Sequence, residues 1–146
     1  MKSKISYQII PEKKIVLECF CGELLWKDLI NNKKKLLLEK EYYPTFNIID
    51  DVRNAFVTYD EDEIKEFVKL ISDNKKLYGK RKSVILTKTP NQIINSVMLD
   101  SLKKSLPLNF KSVSTLQEAL KWVEISHKYY QFIENSLDKL KFKCPN

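Results

Sequence analysis

The 146-residue sequence predicts an α/β domain built on a five-stranded, mixed but mostly parallel sheet. Three observations predict this class: two alternating segments near the N-terminus, short apolar runs further on, and helix-start signals directly after those runs. Alternation is typical of an antiparallel hairpin, whereas a strand followed by a capped helix, repeated, is typical of parallel strands. We therefore expect an N-terminal β-hairpin, then alternating helices and strands, with helices packed on the sheet and an extra C-terminal helix.

The first half of the chain predicts the hairpin, a helix and a third strand. Residues 4–10 and 14–21 alternate between apolar and polar, and a short turn that contains Pro11 separates them. Gly22 is expected to end the second strand. Residues 23–40 have helical spacing, with an apolar stripe opposite a row of lysines. The short, nearly apolar run 46–50 then predicts a strand that is covered on both faces.

The next two helices have clear start signals. Asp60 and Glu63 have the spacing of a capping box, for a helix that ends near residue 73. Strand 83–87 is followed by Thr89 as a cap and Pro90 at the first helical position, which predicts a helix to about residue 105.

The last third of the chain predicts one more strand and two helices. Residues 108–113 form the strand, and a helix runs from Thr115 to about residue 125. Residues 126–142 again have helical spacing. We therefore expect a single domain over residues 1–125 and a helical extension over 126–146, packed on the domain or on a second subunit.

The cysteines and the histidine indicate no metal site and no cofactor. An odd set of three cysteines, Cys19, Cys21 and Cys144, argues against a disulfide framework when secretion signals are absent. Cys19 and Cys21 share one face of a predicted strand, where we expect two small buried hydrophobes. The alternative is a metal or redox pair, but His127 is the single histidine and the linear spacing supplies no further ligand.

The charge pattern argues against nucleic acid as the partner. The formal net charge is +7, but only Arg53 and Arg81 among the 26 basic residues are arginines, and base recognition commonly uses arginine. The basic run 75–82 is expected to be a solvated loop, the alternative being non-specific phosphate contacts. No apolar run is long enough for a membrane span, and no signal-peptide core is present, so we expect a cytoplasmic location.

Three short segments resemble a known group of proteins. They are residues 50–53 (DDVR), 86–92 (LTKTPNQ) and 114–122 (STLQEALKW). Together with the order of elements, they make residues 4–125 similar to the small SpoIIAA-like proteins of bacteria. Those proteins share the STAS fold with anti-sigma-factor antagonists and with the cytoplasmic tails of sulfate transporters. These SpoIIAA-like proteins largely lack an assigned activity. Related folds include lipid carriers and protein-binding modules, so the resemblance implies the fold and leaves both kinds of function open.

The chain departs from the phosphorylated antagonists of that fold. They carry a Ser or Thr beside a Gly at the start of the helix after the third strand, commonly within an Asp-Ser-Ser/Thr-Gly motif. Residues 50–60 contain neither Ser nor Gly, and Thr58 is the only hydroxyl there besides Tyr59. We therefore expect no phosphorylation switch of this kind.

A candidate binding site lies at the carboxyl ends of the parallel strands, where ligands bind in open α/β sheets. The candidate ligand-binding residues are Asp51, Arg53, Thr89, Asn91 and Ser114. The helix N-termini at Pro90 and Thr115 would favour an anion, and Arg53 could clamp a phosphate or carboxylate. In the alternative interpretation, Thr89 and Ser114 are only helix caps, and Asp51 and Arg53 pair with each other.

The sequence contains no motif of catalysis. It has no Gly-x-Ser-x-Gly elbow, no phosphate-binding glycine loop and no metal-ligand pattern, so we expect no enzyme. The leading hypothesis is a module that binds a protein partner or forms a homodimer. The alternative is a sensor or carrier that binds a small anion or lipid at the carboxyl ends of the parallel strands.

Overall fold

The architecture is taken from a computed structural model, which describes residues 3–58, 60–77, 81–88 and 109–144. Five strands form one sheet in the order β1-β2-β3-β4-β5. They are β1 (Lys4–Ile10), β2 (Ile15–Leu25), β3 (Asn47–Thr58), β4 (Lys82–Leu86) and β5 (Asn109–Val113). β1 pairs with β2 as an antiparallel hairpin, and the remaining neighbours are parallel. The predicted α/β class and mixed, mostly parallel sheet are confirmed.

The described residues contain four α-helices and two short 3₁₀ turns. The helices are α1 (Trp26–Leu37), α2 (Glu61–Asp73), α3 (Leu116–Trp122) and α4 (Tyr130–Phe142). The turns are Pro11–Lys13 and His127–Tyr129. The predicted helix from Pro90 to about residue 105 lies outside the described residues.

Side chains cap the starts of α2 and α3, at Asp60 as the sequence predicts and at Thr115 instead of the predicted Ser114. The Asp60 carboxylate accepts the backbone N–H of Glu63 at 2.8 Å, and the Thr115 hydroxyl accepts that of Glu118 at 3.2 Å. Each cap satisfies an N–H group that has no partner within its helix.

β2 and β3 are longer than the sequence predicts. Gly22 does not end β2, which continues to Leu25, and β3 runs to Thr58 instead of ending near Asp50. Pairing between the two strands continues to Leu25 and Thr58. Because residues 23–25 hydrogen-bond within this ladder, α1 begins at Trp26 and not at Glu23.

Helices cover both faces of the sheet. The buried side chains of α3 and α4 pack with one face, and those of α1 and α2 pack with the other. In α4 the buried apolar residues are Ile133, Leu137 and Leu140, which share a cluster with side chains of β2, β3, β4 and β5. This packing positions α4 beside the carboxyl ends of the parallel strands.

The cysteines correct one sequence-based expectation. Cys19 and Cys21 are buried, as predicted, but Cys21 forms a disulfide with Cys144, 123 residues away in the chain. Their Cα atoms lie 5.9 Å apart, which is an ordinary separation for a disulfide. Linear spacing could not show this pairing, because it depends on the end of α4 returning to β2.

The basic run 75–82 is also more buried than a solvated loop. Leu77 and Arg81 are buried, and Lys82 begins β4. The Arg81 guanidinium donates to the Tyr42 hydroxyl and to the carbonyl of Leu77, which joins this segment to the loop after α1. Residues 78–80 lie outside the described residues. Arg81, one of the two arginines of the chain, is therefore buried and hydrogen-bonded inside the protein.

The helices of the described ranges are too short or too polar to cross a lipid bilayer.

Candidate functional site

The candidate site begins at a β-bulge in β3. Cys19 pairs with Asp51, and Cys21 pairs with Asn54, so the two residues Val52 and Arg53 lie opposite Phe20 alone. The backbone N–H of Arg53 donates to Oδ1 of Asp51 at 3.2 Å. The bulge therefore brings the guanidinium of Arg53 back toward the carboxylate two residues before it.

Asp51 is buried and holds two cations. Arg53 donates through Nε to Oδ1 at 2.9 Å and through Nη2 to Oδ2 at 2.8 Å, and Nζ of Lys141 lies 3.6 Å from Oδ2. The hydrogen bond to Asp51 is the largest cause of a raised pKa of Arg53. The pairing of Asp51 with Arg53 is thus the interpretation that the structure supports, and the guanidinium fork already binds a carboxylate.

A cavity of about 280 Å³ lies beside this network. It is lined by Arg53, Ser114, Thr115, Leu116, Tyr130, Glu134, Leu137, Asp138 and Lys141. Of the candidate residues, Arg53 and Ser114 line the cavity and Asp51 contacts Arg53, whereas Thr89 and Asn91 lie outside the described residues. The remaining predicted residues therefore converge at the expected edge of the sheet.

Sequence reasoning missed the contribution of α4. Tyr130, Glu134, Asp138 and Lys141 all line the cavity, although the resemblance ends near residue 125. Their spacing of four, four and three residues places them on one face of a helix, beside the apolar stripe. That spacing was the available signal, but it does not say which surface the polar residues would meet.

Ser114 does not act as the helix cap. Thr115 supplies the capping oxygen, and the backbone N–H of Ser114 donates to Oε2 of Glu118 at 3.3 Å. The first N–H groups near α3 are thus partly satisfied by the side chains of Thr115 and Glu118. This weakens the expected role of the Thr115 terminus in binding an anion.

The charges that line the cavity are balanced. Arg53 and Lys141 are the cations, and Glu134 and Asp138 are the acids, with Nζ of Lys141 4.0 Å from Oδ1 of Asp138. The carboxylate of Asp51 adds one further negative charge beside them. Such a lining suits a small polar molecule with groups of both signs better than it suits a free anion or an acyl chain.

A second group of charges lies inside the protein on the α1 side of the sheet. Glu18 is fully buried, and its two carboxylate oxygens accept from Nζ of Lys33 at 2.8 and 2.9 Å. Asp50 is the partner of Glu18 in the β2–β3 register. Burial would lower the pKa of Lys33, but Glu18 and Asp50 together raise it.

Burial is the largest cause that raises the pKa of Asp50 well above its ordinary value. The negative charge of Glu18 adds to this shift, while Lys33 and Arg81 oppose it. Glu18 and Lys33 therefore form the ion pair, and Asp50 retains its proton over a wider pH range than an exposed carboxyl does.

We predict that Asp50→Asn makes the protein more stable toward higher pH. Because the pKa of Asp50 is raised on folding, the native state binds more protons than the unfolded state, so wild-type stability falls as pH rises above about 4. The variant lacks this loss. The difference in the free energy of unfolding between Asp50→Asn and wild type should therefore grow by about 1.4 kcal/mol per pH unit, until the pH reaches the pKa of Asp50 in the folded protein. Urea unfolding from pH 4.5 to 8 measures it, with exposed Asp62→Asn as the control. Equal pH slopes for Asp50→Asn and wild type would contradict this prediction.

His127 takes no part in the site. It is exposed at the start of the 3₁₀ turn between α3 and α4, and it does not line the cavity.

The topology defines an α/β protein with a SpoIIAA-like fold. The chain is similar to a protein of the DUF3478 family with a SpoIIAA-like fold from Shewanella loihica PV-4, at 14% identity and a TM-score of 0.53. That match covers 84% of this chain and 96% of the other. The chain is also similar to an anti-sigma factor antagonist from Mycobacterium paratuberculosis, at 16% identity and a TM-score of 0.46, over 83% of this chain and 95% of that one. No protein-family model and no curated protein matches the sequence. The first similarity confirms the predicted fold.

Proposed function

We propose that this protein is a regulatory interaction module, not an enzyme, and that it binds a protein partner. The observation that supports this proposal is the β2–β3 ribbon, which we define as Cys21–Leu25 paired with Asn54–Thr58. β4 pairs with β3 only as far as Asp51. The ribbon therefore continues past the end of its neighbour β4, as a hydrogen-bonded pair of strands.

One face of the β2–β3 ribbon exposes large apolar side chains. Phe56 is 62% exposed and Leu25 is 44% exposed. Because Phe56 pairs with Glu23, two residues before Leu25 on β2, these side chains lie on the same face. Leu24 and Val57, on the opposite face, are buried in the cluster with α1 and α2. The packing of Leu24 and Val57 against α1 and α2 therefore fixes the strands on which Phe56 and Leu25 are exposed.

An exposed aromatic side chain on a rigid support is well suited to bind a protein. Aromatic residues are enriched at protein interfaces, and a preorganised surface loses less conformational freedom on binding. The net charge of +7 would attract a partner with an acidic surface and repel a second copy of this chain. We therefore propose an acidic protein as the partner.

We expect Phe56→Ser to weaken partner binding by about tenfold or more, because a buried aromatic contact at an interface commonly contributes over 1 kcal/mol. The partner would be captured by cross-linking, purified and titrated by calorimetry against wild type and the variant. Leu38→Ser is the matched control, since Leu38 is 84% exposed but lies at the far end of α1. Equal affinity of Phe56→Ser and wild type, or no binding between purified proteins, would overturn the proposal.

A small polar ligand in the 280 Å³ cavity is the second candidate. The observation that favours it is the balanced set of charges on Arg53, Glu134, Asp138 and Lys141 at the carboxyl ends of the strands. The same variant tests this candidate: heat protection by a small polar molecule that is equal in wild type and Phe56→Ser would show that the molecule binds away from the β2–β3 ribbon, as the cavity candidate requires.

A further inference from the structure

Three cysteine sulfur atoms converge at the end of α4. The Sγ atoms of Cys19, Cys21 and Cys144 all lie within 4.8 Å of one another. Cys19 and Cys21 lie two residues apart on β2 and point to the same face, and Cys144 follows α4 back to them. Cys19 and Cys21 are buried, while Cys144 is partly exposed and opens the cluster toward solvent.

The structure shows the oxidised form of this cluster, in which Cys21 and Cys144 are joined and Cys19 is a free thiol. A dithiol reductant breaks the Cys21–Cys144 bond by supplying two electrons and two protons, and it becomes a disulfide. A phosphine supplies two electrons and becomes a phosphine oxide, with one water molecule providing the oxygen and the two protons of the new thiols. Reduction thus leaves three thiols on two neighbouring elements of the fold.

We propose that the reduced protein binds one Zn²⁺ ion through Cys19, Cys21 and Cys144, with water as the fourth ligand. Zn–S bonds are about 2.3 Å long, so three sulfurs around one ion lie about 4 Å apart. The Cys19 sulfur, which lies within 4.8 Å of the other two, therefore needs to move by about 1 Å or less. The Cys21 and Cys144 sulfurs need to separate by about 2 Å once the bond between them is broken. Binding transfers no electrons: three S–Zn bonds form, and three protons leave to solvent.

Two cations lie near the cluster. Three thiolates and one Zn²⁺ carry one net negative charge. The positive charges of Lys141 and Arg53 act on Cys19 against the negative charge of Asp51. These two cations therefore offset part of the negative charge of the proposed site, although the acids Glu134 and Asp138 of the cavity wall lie beside them.

This proposal is independent of partner binding at the β2–β3 ribbon, and it departs from the sequence-based expectation of no metal. That expectation rested on linear spacing, in which Cys144 is remote from the other two cysteines. The ion would join β2 to the end of α4, three residues beyond Lys141 of the cavity wall.

The test is a zinc titration of the full chain without oxygen. Protein reduced with a phosphine is titrated with Zn²⁺ against a chromophoric chelator, and native mass spectrometry counts the bound ions. We expect one Zn²⁺ per reduced chain, none per disulfide-bonded chain, and protection of all three thiols from alkylation.

Cys19→Ser and Cys144→Ser should each lower the Zn²⁺ affinity by more than about tenfold, since even residues that only support a ligand have effects of this size. Cys144→Ser keeps the test valid if the buried Cys19→Ser fails to fold, because Cys144 is partly exposed. Ser126→Ala, in the exposed connection between α3 and α4, is the control and should bind as wild type. No Zn²⁺ on the reduced wild type, or unchanged affinity in a folded cysteine variant, would overturn the site.

Discussion

We expect Lys33→Met to lower the free energy of unfolding by about 3–5 kcal/mol at pH 7, because it leaves the buried Glu18 carboxylate without its cation. Urea unfolding at pH 7 measures the loss.

Two further variants separate this ion pair from other effects of the change. Lys34→Met alters an exposed lysine of the same helix and should change stability by less than about 0.5 kcal/mol. Lys33→Met combined with Glu18→Gln should recover much of the loss, because no unpaired charge remains. A loss of the same size in the double variant would show that Lys33 acts through packing and not through charge.

The second large effect is expected at α4. Ile133→Ala should destabilise the protein by about 2–5 kcal/mol, because the side chain is fully buried against the sheet and its removal leaves a cavity. The matched control is Phe132→Ala, since Phe132 is the preceding residue and is 47% exposed. Thermal or urea unfolding compares the two variants.

The same pair of variants addresses the packing of residues 126–146. If α4 stabilises its own domain, the loss in Ile133→Ala is independent of protein concentration. If the difference in stability between wild type and Ile133→Ala instead disappears when both proteins are diluted, α4 packs on a second subunit. An effect no larger than that of Phe132→Ala would contradict the packing described here.

The sequence predicts most of the fold because its local signals agree with the long-range packing. β1 has the predicted bounds, and the cap at Asp60 acts as its spacing indicates, whereas α3 is capped by Thr115 and not by Ser114. The length of β3 could not be predicted in the same way. The extra residue at Val52 and Arg53 interrupts the alternation of apolar and polar residues. Residues 50–58 therefore do not show the continuous two-residue period by which a strand is predicted from sequence.

The candidate site is predictable in part. The rule that ligands bind at the carboxyl ends of parallel strands brings Asp51, Arg53 and Ser114 to one place, because it depends only on topology. It does not include Lys141 or Cys144, because these residues reach the site through the packing of α4 on the sheet. That packing depends on the whole core, and helical spacing alone identifies the apolar stripe but not the surface that it covers.

The bulge at Val52 and Arg53 has a consequence for comparing this chain with others. β3 changes phase at that point: Asp51 lies on the α4 side of the sheet, and beyond the extra residue the same side is occupied by Asn54 and Phe56. An ungapped alignment with a regular strand would therefore assign every residue from Asn54 to Val57 to the wrong face. Related chains should be aligned with a one-residue gap here, so that their counterparts of Phe56 can be compared for apolar character.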